Sequence, residues 1–216
     1  MTYRAVVFDL DGTLLDTLED LADSMNAVLA REGCPQHPVG EYRYLVGDGM
    51  PVLVRRALPP DRQDAQSIDR CVLAMQKEYA RRWDAHTRPY PGVPAMLDGL
   101  DARMMPKAVL SNKPEDFARL TVARLLPRWR FDPVCGARPD VPRKPDPWGA
   151  RAIAAHLGVE PERFLYVGDT NTDMRTARAA GMCAVGATWG FRPAAELEES
   201  GADHLLRRPV DLLELL

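Results

Sequence analysis

No stretch of this 216-residue chain holds anything near the roughly 20 consecutive apolar residues that cross a bilayer, so the sequence predicts no membrane span. Cysteine is sparse and scattered. Cys34, Cys71, Cys135 and Cys183 form no C-x-x-C pair and the four histidines do not cluster, which leaves neither a zinc site nor a disulfide framework. A basic field is missing too: the net charge is −3, and Arg55-Arg56, Arg81-Arg82 and Arg207-Arg208 are isolated pairs, so nucleic acid is not an expected partner. Between Met1-Thr2-Tyr3-Arg4 and Asp9 stand only four apolar residues, too few for a signal peptide, and the expected location is cytoplasmic. Lysine is the scarcest charge. Only Lys77, Lys107, Lys113 and Lys144 are lysines among the 28 basic residues, and two of these fall in the motifs below.

With 46% hydrophobic and 27% charged residues, the chain has the composition of a folded globular protein. Tyr3 to Phe8 is a short β-rich run ending in acids, and similar runs recur at 107–110, 164–167 and 182–185. Helical patterns lie between them: one after Pro114, one from Trp148 to Leu157 closed by Gly158, one from Asn171 to Ala180 closed by Gly181. Alternating strand and helix predict an α/β fold, a doubly wound parallel sheet with helices on both faces. Residues 17–88 break the alternation with two apolar helical stripes, Leu18 to Leu29 and Ile68 to Trp83. The expectation is therefore a catalytic core of residues 1–16 and 89–216 carrying a helical insert of residues 17–88.

Four short motifs carry chemistry. Asp9-Leu10-Asp11-Gly12-Thr13 stands where the first strand should stop, and two acids so close repel unless a cation lies between them. Hard carboxylate oxygens suit Mg2+. With the chain turning at Gly12, Asp9 is able to attack phosphorus as a nucleophile while Asp11 handles protons, although an Asp-Gly pair is also an ordinary turn. Ser111-Asn112-Lys113-Pro114 follows the second strand run; a serine and helix-start N–H groups there can hold a phosphate, or simply cap a helix, with Pro114 at the first helical position. Lys144-Pro145 precedes the Trp148 helix. Gly168-Asp169 with Asp173 again sets acids beyond a strand, at i and i+4. In an open parallel sheet the carboxyl ends of the strands form the ligand crevice, so these four loops are expected to meet.

Together the four motifs resemble those of the haloacid dehalogenase superfamily, specifically its phosphatases with a helical cap, and within them the phosphoglycolate phosphatase branch. Asp16-Thr17, Gly47-Asp48-Gly49 before a helix and Ser111-Asn112-Lys113-Pro114 carry the finer likeness. The resemblance implies Asp9 as nucleophile and metal ligand, Asp11 as acid/base and as a ligand through its backbone carbonyl, and Asp169 completing an Mg2+ site supported by Asp173. It further implies that Ser111 and Lys144 hold the phosphoryl oxygens, with Gly12, Thr13 and Asn112 around them. Gly47 and Gly49 either line the substrate or form a plain turn. The implied partner is a small phosphorylated metabolite, and the chain a monomer or homodimer. A phosphatase for another sugar phosphate or pyrophosphate, a phosphomutase and a non-catalytic phosphoryl-binding protein are the alternatives. One departure is Gly136-Ala137-Arg138-Pro139, where relatives show Gly-Gly-Asp or similar.

Overall fold

The computed structural model describes residues 2–216. They divide into two compact units, Met1–Leu15 with Pro89–Leu216, and Asp16–Arg88. The strands are β1 (Ala5–Phe8), the short β2 (Leu15–Asp16) and β3 (Arg88–Pro89), β4 (Lys107–Pro114), β5 (Val134–Ala137), β6 (Phe164–Gly168), β7 (Cys183–Ala187) and β8 (His204–Leu206). Helices α1 (Leu18–Arg31), α2 (Tyr42–Leu45), α3 (Met50–Ala57) and α4 (Ala65–Arg82) belong to the second unit. The first unit holds α5 (Val93–Ala102), α6 (Glu115–Leu125), α7 (Trp148–Leu157), α8 (Asn171–Ala180) and α9 (Ala194–Glu199).

The first unit is built on a parallel six-stranded sheet in the order β5-β4-β1-β6-β7-β8. β1 explains the layering. Its four residues are all apolar and fully buried, as expected of a central strand covered on both faces. With a side-chain period of two, Val6 and Phe8 face a cluster containing Met96 and Leu97 of α5 and Val122 of α6, while Ala5 and Val7 face Ile153 of α7 and Met174 of α8. Each of these side chains larger than alanine contributes roughly 1.5–3 kcal/mol by leaving water. The chain winds outward from β1 to β4 and β5 on one side, then to β6, β7 and β8 on the other. The winding reverses at β1, and the crevice of such a sheet opens at that strand's carboxyl end.

Several local features differ from expectation. β4 does not stop at Leu110 but pairs with β5 as far as Pro114 opposite Ala137, after a register shift. Ser111, Asn112 and Lys113 are therefore strand residues, and Pro114 is the N-cap of α6 instead of its first helical residue. Tyr3 and Arg4 lie outside β1. The edge strands β5 and β8 carried no clear apolar signal, because β5 contains Gly136 and is only partly buried and β8 has three residues. α7 and α8 end as the sequence predicts, with Gly158 and Gly181 left-handed at φ +63° and +81°.

In the second unit α1 packs on α4, and Met25, Val28 and Leu29 of one helix and Cys71, Met75 and Tyr79 of the other are buried. Glu78, 1% exposed, is neutralised by Arg31 at 2.6 Å and Arg82 at 2.8 Å. Buried Asp20 accepts hydrogen bonds from the Thr87 N–H (2.9 Å) and Oγ1 (2.7 Å), which ties the end of the unit to α1. Among the described residues no helix is long and apolar enough to cross a membrane.

Candidate active site

β1 delivers Asp9 to the rim of the sheet, where its N–H still donates to the Val167 carbonyl of β6 at 2.9 Å. The chain then turns at Gly12, whose φ of +89° is left-handed and whose missing Cβ makes room for the Asp169 carboxylate. Asp169 follows β6, the strand beside β1. Its Oδ1 accepts from Thr13 Oγ1 at 2.7 Å and its Oδ2 from the Phe191 N–H at 2.8 Å. A Cβ on Gly190 would run into Asp169 and the Gly12 carbonyl, so the loop after β7 closes on the acid only because residue 190 is glycine.

Asp169 and Asp173 meet, but not by helical stacking. α8 starts at Asn171 with Thr170 as N-cap, and Asp173 is the third helical residue of a capping box. Asp173 Oδ2 accepts from the Thr170 N–H (3.1 Å) and Oγ1 (2.6 Å), while its Oδ1 lies 2.7 Å from Lys144 Nζ. The Lys144 ammonium also sits 2.8 Å from Asp9 Oδ1. Asn112 holds this lysine's backbone from both sides: its Nδ2 donates to the Lys144 carbonyl (3.1 Å) and its Oδ1 accepts the Lys144 N–H (3.0 Å). Ser111, one residue earlier in β4, accepts the Lys113 N–H at 3.2 Å. Lys113 Nζ donates to both oxygens of Asp11, at 2.9 and 3.2 Å.

The electrostatics follow from burial. Asp9 is 6% exposed and Asp169 and Asp173 are inaccessible. Desolvation, then repulsion from Asp173, push the Asp9 carboxyl up from 3.8 to about 7, against the pull of Lys144. Asp169 is raised as well, by burial first and then by Asp173 and Asp9. For Lys144, burial works against the charged form, but Asp173 and Asp9 outweigh it and hold the ammonium well above its ordinary value.

Carboxylate oxygens of Asp9, Asp169 and Asp173 lie within 4.8 Å of one another and could hold a metal ion. The donor set is all hard oxygen, and Asp9 Oδ1 is buried with no hydrogen bond, its contact with Lys144 being an ion pair without hydrogen-bond alignment. When all four are ionised, the carboxylates of Asp9, Asp11, Asp169 and Asp173 outnumber the ammoniums of Lys113 and Lys144 by two. A hard divalent cation fits both the donors and that excess.

Of the residues singled out in the sequence, Asp9, Gly12, Thr13, Asn112, Lys144, Asp169 and Asp173 come together through these contacts. Asp11 and Ser111 are each linked to Lys113. Gly47 and Gly49 lie in the second unit at φ +116° and +88°, with Gly49 the N-cap of α3. Sequence reasoning missed the Lys113–Asp11 pair, the Phe191 N–H and Gly190. The one available signal for the last two was Trp189-Gly190 just beyond a strand; Trp189 Nε1 donates to the Thr13 carbonyl at 3.0 Å.

A family model described as haloacid dehalogenase-like hydrolase matches residues 6–187. The chain is 35% identical over 191 residues to a phosphoglycolate phosphatase of Neisseria meningitidis, covering 87% of this chain and 81% of that one. To the phosphoglycolate phosphatase of Aquifex aeolicus it is 30% identical over 213 residues, covering 99% and 96%. The fold matches the crystal structure of a predicted phosphoglycolate phosphatase from Haemophilus somnus with a TM-score of 0.91 at 26% identity, covering 100% and 98% of the two chains.

Proposed function

Because the chain belongs to the haloacid dehalogenase-like hydrolase family, we propose that it is a magnesium-dependent phosphatase acting on a small phosphomonoester of the phosphoglycolate type. The observation that carries this reading is the buried meeting of Asp9, Asp169, Asp173 and Lys144 at the carboxyl rim of β1 and β6. In this reading residues 1–16 and 89–216 are the catalytic core and residues 17–88 an insert, with Gly47 and Gly49, that discriminates between substrates. The names of the relatives support the substrate class, and the reading places the enzyme in the cytoplasm, acting on a soluble metabolite.

Asp9 attacks the phosphorus through a carboxylate oxygen, the bond from phosphorus to the ester oxygen breaks, and Asp11 gives that oxygen its proton. Water then attacks the phosphorus of the aspartyl phosphate, Asp11 takes the water's proton, and Asp9 is released as carboxylate together with inorganic phosphate. Ser111 and Lys144 hold the phosphoryl oxygens, and Lys144 keeps Asp9 aimed. Mg2+ held by Asp9, Asp169 and the Asp11 carbonyl, with Asp173 behind them, would supply positive charge against the phosphoryl oxygens, where such transfer gains most.

The test is phosphate release from phosphoglycolate, other phosphomonoesters, nucleotides and pyrophosphate, with Mg2+ and with a chelator. Turnover of phosphoglycolate that requires the metal is expected. Absence of phosphate release from every compound with Mg2+ present would sink the reading.

A further inference from the structure

Lys113 is the scarce cation that the reaction as written leaves without a role. It stands two residues beyond Ser111 in β4, and its own N–H is tied to Ser111 Oγ at 3.2 Å. Its side chain is 4% exposed, yet its ammonium forks onto Asp11 Oδ1 at 2.9 Å and Oδ2 at 3.2 Å across 102 residues of sequence. The neighbouring strand makes room for this: a Cβ at Gly136 of β5 would lie 2.7 Å from the Lys113 carbonyl and collide with the Glu115 backbone. Two residues on, Arg138 lies 3.7 Å from Glu115. The close fit of β5 against β4 therefore fixes the backbone that aims Lys113.

Resting on the proposed phosphatase reading, we infer that Lys113 is a positioning residue for Asp11, holding its carboxylate by both oxygens in the orientation from which it serves the leaving-group oxygen. A lone carboxylate would swing about two torsions, and the fork from the Lys113 ammonium onto both Asp11 oxygens restrains that motion. The geometry differs from that of Lys144, which contacts Asp9 and Asp173 and so belongs with the nucleophile.

The experiment compares wild type with Lys113→Met and Lys113→Arg on two substrates with Mg2+, an alkyl phosphate such as phosphoglycolate and p-nitrophenyl phosphate, whose phenolate leaves without a proton. A positioned general acid is worth about a hundredfold or more, so Lys113→Met is expected to lose at least about tenfold in kcat/KM on the alkyl phosphate. The loss on p-nitrophenyl phosphate is expected to be several times smaller, inhibition by inorganic phosphate unchanged, and Lys113→Arg to recover part of the difference. Equal losses on both substrates, or no loss on either, would overturn the assignment. Should Lys113→Met not fold by circular dichroism, the same contrast is read on Lys113→Gln, which also removes the charge. Failure of the phosphatase reading would show itself separately, as a wild type that releases no phosphate from either substrate.

Discussion

With no metal ion bound at the candidate site, stability should fall as the pH rises, because the site then holds acids that burial forces toward protonation. The Asp9 carboxyl is raised from 3.8 to about 7, by burial first and Asp173 second. The folded protein thus binds this proton more tightly than the unfolded chain does. Its contribution to stability is complete below about pH 4 and is lost as the pH climbs through about 7. Roughly three pKa units at about 1.4 kcal/mol each amount to a loss on the order of 4 kcal/mol, a large share of the 5–15 kcal/mol that holds a typical domain together. Asp169 is shifted in the same direction and adds to the trend. A divalent cation binds the ionised form, so Mg2+ should stabilise the protein far more at about pH 8.5 than at about pH 5. Urea unfolding in chelator and in Mg2+ at both pH values reads all four quantities. Asp9→Asn supplies the control: without the carboxylate, the metal-free slope between the two pH values should flatten. If metal-free wild type were as stable at about pH 8.5 as at about pH 5, with the variant showing the same slope, the electrostatic reasoning would be wrong.

Lys144→Met should cost about 3–5 kcal/mol in urea unfolding at neutral pH, since it strands the buried Asp9 and Asp173 carboxylates, and activity should vanish with it. Asn112→Ala removes both hydrogen bonds to the Lys144 backbone and leaves buried groups unpaired; a loss of about 1–3 kcal/mol and a fall in kcat with little change in KM are expected, measured by unfolding and steady-state kinetics. Gly190→Ala puts a methyl group against Asp169 and the Gly12 carbonyl, so the concentration of Mg2+ giving half-maximal activity should rise along with a stability loss of about 1–3 kcal/mol.

How far the sequence could be read depended on how local each signal was. The end of β1 at Phe8, the end of β6 to within one residue of Gly168, and the helix ends at Gly158 and Gly181 were legible because apolar runs and left-handed glycines act over a few residues. β5 escaped because an edge strand buried only in part needs no apolar pattern, and its glycine is there for the close approach to Lys113 and Glu115. The acids of the first and fourth motifs announced themselves as acids. What the sequence withheld were their partners: Lys113 lies 102 residues from Asp11 and Phe191 lies 22 from Asp169, and pairings at such separations are created by the sheet order. Asn112 shows the same limit. It was legible as a polar residue of the site, while its grip on the Lys144 backbone came only with β4 running on past Leu110.

In the proposed reaction Asp9 supplies the oxygen that bonds to phosphorus. Acid quenching during turnover, reduction with borohydride and peptide mass spectrometry would locate any acyl phosphate, which borohydride converts to homoserine. Homoserine at position 9, present only when substrate has been supplied and absent from Asp9→Asn, is the expected result. Steady turnover with residue 9 unchanged and the modification on another carboxylate, or on none, would contradict it.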